Sequence, residues 1–247
     1  MVFGKVKKDK LREKVENVGK STRPYYIKKK YEVYKVKEGD NFIRILPPIG
    51  DEDDFGLDIW VHSYIGVDKG SYLCRAKVLG KTCPLCDLHK EMIMGGRDEE
   101  AGVLAPKRRT LYWILDTSDK PQSKNPLIFD APYRQVAEEI LRRCVDRKTN
   151  EIIDISDLKT GREIMFTLVP KGNKKFSEYK AVDLGDIYPV NESIGKGLVP
   201  LREVLEIPTK DELIEVADLV REFGLQTVEE NLDVNSDVKE KIKKRIF

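Results

Sequence analysis

Asn41-Phe42-Ile43-Arg44-Ile45-Leu46 runs into Pro47-Pro48, and the rest of the chain is read outward from this stretch. A short run of β-branched and aromatic residues, closed by prolines that cannot extend a sheet ladder, reads as a strand. The acidic loop Asp51 to Asp54 follows, then a second strand around Asp58 to Ile65. Further strands are expected at Ser71 to Cys74, Arg109 to Leu115, Leu127 to Phe129, Glu163 to Val169 and Glu178 to Asp183. Six or seven short strands predict a barrel or a sandwich.

Upstream, residues 1–40 show no sustained period after Leu11 to Val15, and Arg23-Pro24 interrupts them, so they read as a basic arm with at most one short helix. One helix is expected among the strands. Asp130 can cap it, Pro132 suits its first turn, and Tyr133, Val136, Ala137, Ile140, Leu141 and Cys144 recur at helical spacing. Cys144 lies on that apolar stripe and reads as a buried thiol. After Pro189 the pattern turns helical. Thr209 and Glu212 form a capping box before Leu213, Val216, Ala217, Val220 and Phe223, with Gly224 as the stop, and Val238, Ile242 and Ile246 mark a last short helix. A boundary is placed near Gly195 to Gly197.

The 247 residues carry 45 Lys and Arg against 43 Asp and Glu, a net charge of +2 that hides segregation. Met1 to Asp40 holds 13 basic and 6 acidic residues, Glu203 to Asp237 holds 2 and 11, and Val238 to Phe247 holds 5 and 1. A basic block can neutralise phosphates, while an acidic one can compete for it or recruit a basic partner. No apolar run reaches the ~18 residues of a membrane span, and Met1 to Lys10 lacks the apolar centre of a secretory signal. The expectation is a soluble intracellular protein without membrane partners.

Cys74, Cys83 and Cys86 lie within thirteen residues, preceded by His62 and followed by His89. A Cys-x2-Cys knuckle with a third cysteine nine residues upstream matches tetrahedral zinc ligation better than a redox pair, which would open a helix in a βαβ setting absent here. Spacing alone leaves His62 and His89 as competing fourth ligands. Three thiolates and one imidazole would close the tetrahedron, so the ion is expected to be structural.

Motif searches for catalysis find nothing. Gly80-Lys81-Thr82 resembles the end of a phosphate-binding loop, but Arg75 stands where that loop needs glycine. There is no His-Glu-x-x-His and no Gly-x-Ser-x-Gly.

Three segments interleave cations with rings: Tyr25 to Tyr31, Lys107-Arg108-Arg109-Thr110-Leu111-Tyr112-Trp113, and Lys174-Lys175-Phe176-Ser177-Glu178-Tyr179-Lys180. Single-stranded nucleic acid exposes both phosphates and base faces, and a surface offering cations and flat rings matches it. On a strand, Arg109, Leu111 and Trp113 would share one face and Thr110 and Tyr112 the other, with one face given to the core.

Taken together, these residues resemble the single-stranded-DNA-binding, helix-destabilising protein family of T-even-like bacteriophages, over roughly Asn41 to Asp183. Asn41 to Pro47 resembles that family's opening strand, and His62, Cys74, Cys83 and Cys86 resemble its zinc site, which favours His62 over His89. Lys107 to Trp113 and Phe176-Ser177-x-Tyr179 resemble its DNA-contacting motifs. The resemblance implies an OB-fold-like β-barrel at 41–195 with an adjoining zinc subdomain at about 60–105; with the helical C-terminal region at 196–247 read from the residue pattern, the expected chain is α+β. The resemblance also implies Zn2+ on His62, Cys74, Cys83 and Cys86. It places Tyr112, Trp113, Phe176 and Tyr179 on bases, with Lys107, Arg108 and Arg109 on phosphates; Lys174 and Lys175 join the candidate surface.

The implied function is non-catalytic coating of single-stranded DNA in replication, recombination and repair, inside an infected bacterial host. Implied partners are the strand, further copies along it, and replication or recombination proteins at the C-terminal region. Lys20-Ser21-Thr22-Arg23 is only a loose counterpart of the family's cooperativity motif. Glu203 to Asp237 and the basic end replace its acidic tail. The alternatives are a single-stranded RNA binder and a zinc-containing subunit of a nucleic-acid enzyme.

Overall fold

The computed structural model describes residues 24–65, 70–118, 125–146, 148–171 and 176–223. The expected helix at Val238 to Ile246, the stop at Gly224, and Lys174 and Lys175 lie outside the described residues. The chain is a mixed α+β protein with a seven-stranded sheet. Its strands are β1 (Gly39–Ile45), β2 (Gly56–Ile65), β3 (Gly70–Leu73), β4 (Lys107–Asp116), β5 (Leu127–Pro132), β6 (Arg162–Lys171) and β7 (Phe176–Ile187). Among the described residues no helix is long and apolar enough to cross a membrane.

Two compact units divide the chain, the larger being Tyr25–Val61 with Lys107–Ile207. Within it, antiparallel pairing joins β2 to β4, β4 to β1, β1 to β6 and β6 to β7, while β5 pairs with β4. Its core stacks Phe129 on Phe166 at 5.5 Å, with Ile43, Ile45, Tyr112, Ile114 and Ile164 around them. Each such buried side chain contributes ~1.5–3 kcal/mol of transfer free energy. The helix α4 (Glu138–Arg143) closes this core through Ile140, after one wide π-turn at Tyr133–Ala137. Its cap departs from expectation. Pro132 holds the N-cap position, because the Asp130 carboxylate stays on β5 and is taken by Arg109 and Tyr26. Cys144 is buried on the expected stripe, with its thiol donating to the Ile140 carbonyl at 3.4 Å.

The segment read as an arm is packed in this unit from Tyr25 onward. Tyr26, Ile27 and Tyr34 are buried, Ile27 bridges Leu205, and Val33 bridges Ile128. Apolar residues at 26, 27 and 34 are too scattered to show a period, yet each fills a core position.

Arg44 on β1 is fully buried. Its five N–H donors meet five backbone carbonyls, those of Ile45, Ile155, Ser156, Asp157 and Tyr188. A guanidinium satisfied in this way ties β1 to the 155–157 turn through backbone carbonyls, with Asp154 and Asp157 near enough to favour its charge. Gly161 lies over it, where a Cβ would collide with the guanidinium.

The smaller unit contains His62–Pro106 and the chain from Pro208. Here β3 pairs with β2, and three helices follow: α1 (Arg75–Leu79), α2 (Pro84–Met94) and α3 (Asp98–Leu104). Pro84 starts α2 at the position where a missing N–H costs nothing. Near the chain's end come α5 (Leu201–Val204), in the larger unit, and α6 (Lys210–Phe223), in the smaller. The capping box of α6 forms as read: the Thr209 amide donates to Glu212 at 2.9 Å and the Glu212 amide to Thr209 Oγ1 at 3.2 Å. Leu213, Ala217 and Val220 supply its buried stripe.

Candidate metal centre and nucleic-acid interface

β2 carries His62 into the smaller unit, Cys74 ends the turn after β3, and Cys83 and Cys86 flank the first residues of α2. The ligand-type atoms of these four residues lie within 4.8 Å of one another. Sγ of Cys74 and Cys86 are 3.4 Å apart, and His62 Nε2 lies 3.5 and 3.6 Å from Sγ of Cys83 and Cys86. A tetrahedron with ~2.3 Å metal–sulfur bonds has edges of about 3.7 Å, so the set fits one small ion. The Leu104 carbonyl, 2.6 Å from His62 Nδ1, fixes the ring with Nε2 facing the sulfurs. His89 is not in the cluster, which resolves the choice that spacing left open.

Burial disfavours charge on the His62 ring, but hydrogen bonds to Cys74, Cys83 and the Leu104 carbonyl outweigh it and lift its pKa to about 9. Hydrogen bonds from Cys74 and Cys86 hold the Cys83 thiol well below the ordinary thiol range. The same sulfur contacts push the Cys86 thiol up, so the cluster shares its protons, and an ion held by these residues would need a neutral imidazole and thiolates and would displace those protons. Four protein ligands fill a tetrahedron and leave no vertex for a reactive water.

The cation and ring candidates divide sharply. Lys107 and Arg108 are exposed at the start of β4. Arg109, expected on phosphates, instead pairs with Asp130 through Nε–Oδ1 at 2.5 Å, and its second nitrogen donates to the Asp130 carbonyl at 2.7 Å. Tyr112 and Trp113, expected to stack on bases, are 1% and 4% exposed. Tyr112 lies against Phe55 and Phe129, while the Trp113 indole donates to the Val199 carbonyl at 2.9 Å and meets Tyr31 edge-on. The expectation of one free face fails because β4 is covered on both: residues 110 to 115 are all buried. Tyr179, on β7, is half-buried against Phe166. Phe176 opens β7, and its side chain lies outside the described residues.

Reading by motif missed two rings that do reach the surface. Trp60 on β2 stands directly opposite Arg108 in the strand register, and Tyr133 follows β5. The Arg108 guanidinium lies 3.6 Å from the Tyr133 ring centroid and 5.4 Å from that of Trp60, and pairs with Asp58. Cross-strand register brings these residues together, and no local spacing in the sequence carries it.

No protein-family model matches this chain, and none of the curated proteins compared with it does.

Proposed function

We propose that this protein binds single-stranded DNA without sequence preference and without catalysis, on a surface built around Arg108. The observation that carries the reading is the cluster of Lys107, Arg108, Trp60 and Tyr133. It joins exposed cations to partly exposed rings, the pairing that unpaired bases and their phosphates require. Tyr112, Trp113 and Arg109 are no longer part of it. The reading assigns zinc to His62, Cys74, Cys83 and Cys86 as a structural ion, and takes the antiparallel sheet of the larger unit as an OB-like barrel. The resemblance of Asn41 to Asp183 to the phage helix-destabilising family supports DNA over RNA and a role in replication, recombination and repair.

The test is equilibrium binding to deoxyribose and ribose homopolymers and to duplex DNA of equal length, over a series of salt concentrations. Single strands should be preferred over duplex, deoxyribose over ribose, with log affinity falling linearly with log salt. Equal affinity for duplex would overturn the reading; a preference for ribose would move it to RNA. A divalent-metal-dependent shortening of the strand would make the protein an enzyme instead.

A further inference from the structure

We infer that Tyr64 is a base-stacking platform, a ring held out in solvent for the flat face of an unpaired base. The inference rests on the single-strand reading above and adds a contact to the unit that carries the metal ligands.

Tyr64 is 71% exposed, whereas its neighbours on β2 are closed: Val61, His62 and Ile65 at 0% and Ser63 at 9%. Regular strand alternation would put residue 64 on the side of His62, among the buried ligands. The backbone avoids this by adopting φ +60° at Tyr64. That left-handed conformation is strained for an L-residue with a bulky side chain, and only glycine, asparagine and aspartate visit it readily. Among the described residues the other non-glycine positions with positive φ are Asn150, which tolerates it, and Ala181, which is small. A bulky aromatic in this state is the outlier. Its ring and hydroxyl have no hydrogen bond or ring contact among the described residues, so neither kind of contact offsets the strain. Exposure alone would say nothing, since Met94 and Ile152 are more exposed still; the strained backbone that holds this ring outward is what points to a ligand. An unpaired nucleobase supplies the matching flat face.

The test uses the full chain, a labelled thymidine oligonucleotide and a duplex of equal length. Tyr64→Ala and Tyr64→Gly should each weaken single-strand affinity about 5- to 150-fold, the range for one stacked base. Tyr64→Phe, which keeps the face, should stay within roughly twofold. Tyr64→Gly should melt no lower than the parent chain, since glycine adopts this φ freely, and that separates lost stacking from lost fold. Photocrosslinking to a 5-iodouracil strand should place an adduct on Tyr64. If the parent chain prefers single strands and both truncations bind equally well, Tyr64 is not a platform while the function reading survives. If the parent chain shows no such preference, both fall. Loss of self-association in Tyr64→Ala with unchanged strand affinity would make the ring a protein contact and overturn the inference.

Discussion

The Arg108 guanidinium lies 3.6 Å from the ring centroid of Tyr133 while its ion pair to Asp58 holds it from the other strand. A phosphate arriving at Arg108 must compete with that carboxylate. Asp58→Asn should therefore strengthen single-strand binding, by up to about fivefold if the exposed pair is worth ~1 kcal/mol. Arg108→Ala should weaken binding and reduce the salt slope by about 0.7. Salt-series titrations of both variants check this, and a weaker Asp58→Asn would show that Asp58 orients Arg108 instead of competing for it.

The two tryptophans separate surface from core. Trp60 is partly exposed beside Arg108, and Trp113 is buried with its indole N–H satisfied. Strand binding should quench fluorescence in Trp113→Phe, which keeps Trp60, and leave it nearly unchanged in Trp60→Phe. Quenching carried by Trp113 would mean that the larger unit opens on binding.

Arg109 should matter for stability and not for the strand. Its removal leaves Asp130 with only the Tyr26 hydroxyl, 2.5 Å away, as a side-chain donor. Arg109→Ala should cost roughly 1–3 kcal/mol in denaturant unfolding, and its salt slope should equal that of the parent chain.

Alkaline pH should destabilise the larger unit. Burial raises the pKa of Tyr26, Tyr34 and Tyr112 above the ordinary phenol value of 10.0. For a group whose pKa is raised by folding, the unfolded chain releases its proton first, so the stabilisation is whole below about pH 10 and fades as pH climbs beyond it. Each such tyrosine can contribute up to ~1.4 kcal/mol per pH unit there. Melting curves from pH 8 to 11 should show the loss, and Tyr112→Phe should make it shallower. An unchanged slope would mean that Tyr112 reaches solvent before global unfolding.

The metal prediction is stoichiometric. Purified protein should hold one zinc per chain by elemental analysis; Cys83→Ser should lose it, while Cys144→Ser and His89→Ala keep it. Chelation should lower the melting temperature, because one ion on these four residues would tie β2, the end of β3 and the start of α2 together. A fully occupied Cys83→Ser chain would disprove the ligand set.

The seven strands, the apolar stripe of α4, α6 with its capping box, and the three cysteines of the ligand cluster could be read from local sequence, because each depends on period, punctuation or spacing; the choice of His62 as their partner could not, because β2 brings it to them from twelve or more residues away. The helices α1, α3 and α5 have 5, 7 and 4 residues, too short to show a period. The roles of Arg109, Tyr112 and Trp113 were misread because a cation next to rings looks the same whether it meets a phosphate or a carboxylate brought in by another strand. Asp130 lies 21 residues from Arg109, and only the β4–β5 register puts them together. Trp60 was overlooked for the same reason.

The enclosure of Arg44 reaches past this one chain. Lysine offers three donors where five carbonyls wait, and any side chain at 161 displaces the guanidinium. The dependence runs one way, because a Cβ at 161 would also strike the Asp157 backbone carbonyl, so homologous chains that abandon the arginine will still keep the glycine.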